Sequence, residues 1–154
     1  MKRNRKGSRK RQQTIQIWTQ EQARRVMPYL TSIVRSLREY RLEAVHQHRR
    51  AEQLAKKHGR PDRAAIIAHK EAVRRTEEAE ATFNDALNEL HTLDIYCLDP
   101  IQGLALIPFG VADELAWFVF DLFEKDTPRF WRFHKDPIES RRPLAELVSS
   151  SLNN

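Results

Sequence analysis

Between residues 131 and 142 the chain gathers the side chains best suited to holding a ligand: Trp131, Arg132, His134, Asp136, Glu139, Arg141 and Arg142. Guanidinium forks match carboxylate or phosphate oxygens, and an aromatic ring beside an arginine can stack a nucleobase. Trp131, Arg132, His134, Arg141 and Arg142 are therefore the candidate binding residues. The same stretch also reads as structure, with Arg141 pairing to an acid and pinning the C-terminal segment across a sheet. No catalytic motif accompanies it. The chain has four glycines, none in a phosphate-cradling loop or a nucleophile elbow. Ser149 to Ser151 lie in a polar terminus that reads as frayed, a poor place to hold a nucleophile.

The six histidines do not form a metal site by spacing. His46 and His48 are two apart and would face different sides of a helix, His58 and His69 flank a turn, and His91 lies beside a helix seam. Cys97 is the single cysteine, which rules out an intrachain disulfide and a thiolate zinc cluster. No metal and no cofactor are expected.

Net charge is +6, but Lys2, Arg3, Arg5, Lys6, Arg9, Lys10 and Arg11 stand in the first 13 residues without an acid. Without them, 20 basic residues face 21 acidic ones. The high isoelectric point thus belongs to the tail. Such a tail suits nucleic acid or an anionic membrane surface, through counterion release; it is equally the composition of a solvated, disordered terminus. It lacks the apolar run of a secretory signal. No stretch approaches the ~20 apolar residues of a membrane span, so a cytoplasmic protein is expected.

The elements that would position these residues follow in chain order. Gln12 to Trp18 suits a short edge strand or plain extended chain. Thr19 and Gln22 form a capping-box pattern. Pro28 should kink the helix that follows or mark the start of its regular part. Leu30, Ile33, Leu37, Tyr40, Ala44, Gln47, Ala51 and Leu54 keep the three-and-four step of a coiled-coil seam. A first helix from Thr19 to about His58 would be roughly 60 Å long. Gly59 and Pro61 punctuate, and Ala65, Ala72, Thr76, Ala79, Phe83, Ala86, Leu90 and Leu93 continue the seam on a returning helix. Alanine dominates the distal half, so the strong end of the hairpin should pack on the rest of the fold and the arginine-rich tip should project, as an interaction arm or a solvated spacer.

Periodicity then changes to apolar runs: Ile95 to Leu98, Leu104 to Phe109, Leu115 to Phe123 and Arg129 to His134. Asp99 to Gly103 and Asp126 to Pro128 are turns by composition. Pro108 points to an edge or a bulge. The expected fold is α+β: a long antiparallel helical hairpin over 19–93 packed on a small antiparallel β-meander of about four strands over 94–134. One domain would span 14–144, between a disordered tail over 1–13 and a frayed end over 145–154.

Thr19-x-Glu21-x-Ala23 with Pro28 and Leu30, a charged helical pair, Asp99-Pro100-x-x-Gly103-Leu104, the Pro108 strand, an aromatic-Trp131 pair and Arg141-x-Pro143-Leu144 together resemble the bacterial family known as domain of unknown function 2203. The resemblance covers about residues 15–144. It implies a fold and no chemistry, and carries over only Trp131, Arg141 and Pro143 as matched positions. Two departures matter. Arg132 stands where the family pattern has a His after the Trp, and Val119-Phe120 stand in place of a Cys-Trp pair. A site built on those positions in relatives is altered here.

Residues 115–123 are apolar on both faces apart from Asp121. Helices on one face leave the other to be covered, which suggests a non-enzymatic interaction or assembly module that self-associates, or meets a protein partner, through the meander. The alternative is an RNA- or DNA-associated protein anchored by the tail, with the arginine-rich hairpin as a second contact. The near-neutral body argues against that alternative.

Overall fold

The computed structural model describes residues 14–56 and 59–147. Helix α1 runs Gln20–Ala55 and helix α2 Arg63–Thr92. Thr19 caps α1 in a complete capping box: its hydroxyl accepts the Gln22 N–H at 3.1 Å, and the Gln22 side chain accepts the Thr19 N–H at 3.0 Å. Asp62 caps α2 by accepting the Ala65 N–H at 2.7 Å. The helix continues through Pro28, which does not mark its beginning. Pro28 is exposed, so the ladder bond it removes lies on the watered side of the helix. Gly59 adopts the positive φ expected of it, +104°.

The two helices pack antiparallel as a hairpin. The first half of α1 and the end of α2 contribute Ala23, Leu30, Ile33, Val34, Leu37 and Leu90 to the main core. Beyond that the buried residues are Ala44, Gln47 and Ala51 against Ala72, Thr76 and Ala79. Two of these six are polar, and both are satisfied locally: Gln47 donates to Glu43 and Thr76 to the Ala72 carbonyl. The distal hairpin therefore rests on small side chains and little apolar area.

Five strands, one more than expected, form an antiparallel sheet in chain order. They are β1 Tyr96–Asp99, β2 Leu104–Val111, β3 Glu114–Asp121, β4 Phe130–Phe133 and β5 Arg142–Pro143. Strand β2 passes through Pro108 to Val111 and remains paired with β3 there. The Pro108 carbonyl accepts the Trp18 N–H at 2.8 Å on the side where β1 has already ended at Tyr96↔Leu106. Carbonyl and nitrogen of one strand residue point the same way, so the missing N–H falls at a local edge. Residues 14–18 form no strand and lie beside β2 as extended chain.

One face of the sheet meets the helices through Ala105, Ile107, Phe109, Ala116, Phe118, Phe120 and Trp131. Phe109 stacks on Phe118 with centroids 3.8 Å apart, and Trp131 meets Phe109 edge-on at 6.0 Å. The opposite face has its own cluster, Leu106, Trp117 and Val119 flanked by Leu98, Leu115 and Phe130. This corrects the expectation that β3 needs an outside partner. Ala116 to Phe120 are all buried within the one chain. Strand β3 also ends at Asp121, which leaves Phe123 in the turn beyond it.

Candidate functional site

Alternation along β4 decides what the candidate residues can do together. Successive side chains of a strand point to opposite faces. Trp131 joins the helix-side core, whereas Arg132 lies across from Trp117, a member of the opposite cluster. The five candidates are thus divided between two faces of the sheet and do not converge on one ligand.

On the Trp131 side the geometry is a clasp. Register places Trp131 opposite Arg142 on β5. The Trp131 indole N–H donates to the Pro143 carbonyl at 3.2 Å, and the Leu144 N–H to the Arg129 carbonyl at 3.0 Å. The Arg142 guanidinium lies 5.5 Å from the Trp131 ring and 4.9 Å from the Phe133 ring. It grips Asp136 with both arms of its fork, Nε to Oδ2 at 2.8 Å and Nη2 to Oδ1 at 3.1 Å. Asp136 also accepts the Phe133 N–H at 2.9 Å. The Arg142 hydrogen bonds, helped by the Phe133 amide, hold the Asp136 carboxyl down at about 2. An acid does fasten the C-terminal segment, but its partner is Arg142. Arg141 donates instead to the Ile138 and Ser140 carbonyls at 2.9 Å each.

On the other side, Arg132 is 5% exposed. Its Nη2 donates to the carbonyls of His134 and Asp136, and its Nε has no hydrogen-bond partner among the described residues. The exposed His134 accepts the Trp117 indole N–H on Nδ1 at 3.1 Å. That bond requires Nδ1 unprotonated and leaves Nε2 to carry the ring proton. Trp117 has no counterpart in the sequence-level site. Its proximity to His134 depends on strand register, which no local motif encodes.

Burial shifts three other titratable groups. Burial, helped by the Asp99 charge, pushes the Cys97 thiol up to about 11, far from a nucleophilic thiolate. Burial and the 2.7 Å hydrogen bond to Glu89 raise the Tyr29 phenol to about 12. Burial, then the Asp121 charge, raises the Glu124 carboxyl. Among the described residues no three His, Cys, Asp or Glu side chains gather as a metal-ligand set. None of the described helices is long and apolar enough to cross a membrane. Lys2, Arg3, Arg5, Lys6, Arg9, Lys10 and Arg11 lie outside the described residues, as does His58.

Residues 16–144 match the family model described as "Uncharacterized conserved protein (DUF2203)". The chain belongs to the DUF2203 family. No curated protein and no solved structure matches it. The matched segment begins at Gln16, whose N–H donates to Asp94, and ends at Leu144, which bonds to Arg129. Inside it, several residues named above for the resemblance have structural roles. Thr19 caps α1, and Ala23 and Leu30 are fully buried. The Asp99 carboxylate accepts the N–H groups of Ile101 and Gln102 at 3.0 Å, and Gly103 takes φ +72°. Trp131 and Pro143 close the clasp.

Proposed function

We propose that this protein is a non-enzymatic interaction module that self-associates through the rim of its meander. The observation that carries the reading is Phe123, 67% exposed in the turn after β3. The Arg38 guanidinium of α1 lies 5.2 Å from the Phe123 ring centroid. Arg38 Nε donates to the Ile101 carbonyl at 2.9 Å, and Ile101 is itself exposed in the β1–β2 turn. An aromatic ring, an arginine and an aliphatic side chain held together at the surface match the composition of interface hot spots. The Arg38 bonds fix this patch before any partner arrives, which lowers the ordering cost of association. Each copy would present the same patch across a two-fold axis, as a closed homodimer requires.

Sedimentation of the full chain across a concentration series tests this. The wild type is expected to shift from monomer to dimer, and Phe123→Asp to remain monomeric with an unchanged melting temperature. A wild-type mass that stays monomeric throughout, or a dimer indifferent to Phe123→Asp, would contradict the reading.

A further inference from the structure

The charge of the body is near neutral only in total. Residues 46–70, which form the distal hairpin, carry seven Lys and Arg against two acids, while residues 71–154 carry eight against sixteen. The acids among 46–70 are both engaged elsewhere: Glu52 faces His48 at 3.1 Å, and Asp62 caps α2. Arg49, Arg50, Lys56, Arg60, Arg63 and Lys70 are all exposed, and none forms an ion pair among the described residues. On the neighbouring stretch of α2, by contrast, Arg74 and Arg75 are tied to Glu71 and Glu78. Arg50, Arg60 and Lys70 line a groove of about 870 Å³ that both helices share at the tip.

We propose that this tip is a contact site for the phosphate backbone of a nucleic-acid duplex. Unpaired, hydrated cations on a projecting arm gain from releasing the counterions condensed on a polyanion. Single strands are held chiefly by bases stacking on aromatic rings, and residues 46–70 contain no Phe, Tyr or Trp. An anionic membrane surface would favour large apolar side chains at the apex. Ile66 and Ile67 are exposed on the first turns of α2, but the described apex residues Lys56, Gly59, Arg60, Pro61 and Asp62 include none, and the vesicle arm of the test below separates the two surfaces. Backbone contacts of this kind position a protein without reading sequence. The site is separate from the Phe123 rim, and Phe123→Asp should leave duplex binding intact.

The test uses the full chain, tail included, and a fluorescent mixed-sequence DNA duplex, its single strand, and phosphatidylserine vesicles, each at low and physiological salt. The variant combines Arg50→Ala, Arg60→Ala, Arg63→Ala and Lys70→Ala; Lys at the three arginine positions is the charge-preserving control. Melting curves of all forms should superimpose, because the positions are exposed. The wild type is expected to prefer duplex over single strand and vesicle. The alanine variant should bind duplex at least about tenfold more weakly, with a salt slope shallower by about one for each phosphate no longer neutralised, and the lysine control should retain binding. Unchanged affinity and slope in the alanine variant, or a wild-type preference for single strand or vesicle, would overturn the proposal.

Discussion

Trp131→Ala is expected to lower the free energy of unfolding by about 3–5 kcal/mol, the range for deleting a buried aromatic side chain. Trp131 is 4% exposed and touches three strands at once. It meets Phe109 edge-on from β2, packs against Phe133 at 4.8 Å within β4, and donates its indole N–H to the β5 carbonyl of Pro143. Truncation would leave a cavity on the helix side of the sheet and remove the platform under Arg142. Against a total stability of about 5–15 kcal/mol, the loss should appear as a fall in melting temperature of roughly 10 °C for a chain of this size. Urea unfolding monitored by circular dichroism measures it. Trp131→Phe should recover most of the packing and cost about 1 kcal/mol for the missing hydrogen bond. A melting curve unchanged in Trp131→Ala would mean the residue is held for a ligand.

Gly103→Ala should be nearly as damaging, by about 2–4 kcal/mol, combining left-handed strain with overpacking. Gly103 sits at φ +72°, and an added Cβ would lie 2.6 Å from the Leu122 Cβ. That atom is fixed to the backbone of the facing segment and cannot rotate away. The same approach lets the Leu122 N–H reach the Gly103 carbonyl at 2.9 Å, which ties the β1–β2 turn to the end of β3. Gly59 is the internal comparison. Its φ of +104° is also positive, but open space surrounds its missing Cβ, so Gly59→Ala should cost only the backbone strain. The two substitutions, compared by urea midpoint, separate crowding from conformation.

Much of the fold was legible because it depends on local signals. Thr19 with Gln22, the three-and-four seam into Ala44 and Ala51, and the punctuation at Gly59 and Gly103 all act within a few residues, and each stands where spacing placed it. What escaped the sequence is what strand register alone decides. Strand β5 is two residues long and contains a proline, so no alternation marks it. Without register, Arg141 and Arg142 are indistinguishable, yet a shift of one residue puts a side chain on the opposite face. The apolar run of β3 lacked a visible cover for the same reason. Leu98, Leu115 and Phe130 belong to separate stretches of sequence, and only pairing brings them to Trp117 and Val119. The sequence-level site therefore dissolved into a clasp on one face and a Trp117–His134 contact beside Arg132 on the other. The surface groups that remain available, Phe123 with Arg38 and the unpaired cations of the tip, carry no motif of their own, because side-chain availability is set by what other elements cover.

The Trp131–Arg142 cluster fastens the fold, and melting temperature as a function of pH tests this most directly. The Asp136 carboxyl titrates at about 2 in the folded chain, against an ordinary value of 3.8. A group whose folded value is depressed adds stability above its unfolded value and loses it as pH falls through the folded one. Wild type should therefore melt above Asp136→Asn at neutral pH, and that advantage should shrink between about pH 4 and pH 2 as the bond to Arg142 is protonated away. Parallel curves for the two proteins, or equal melting temperatures at neutral pH, would contradict the fastening role and leave Arg142 free to hold a ligand.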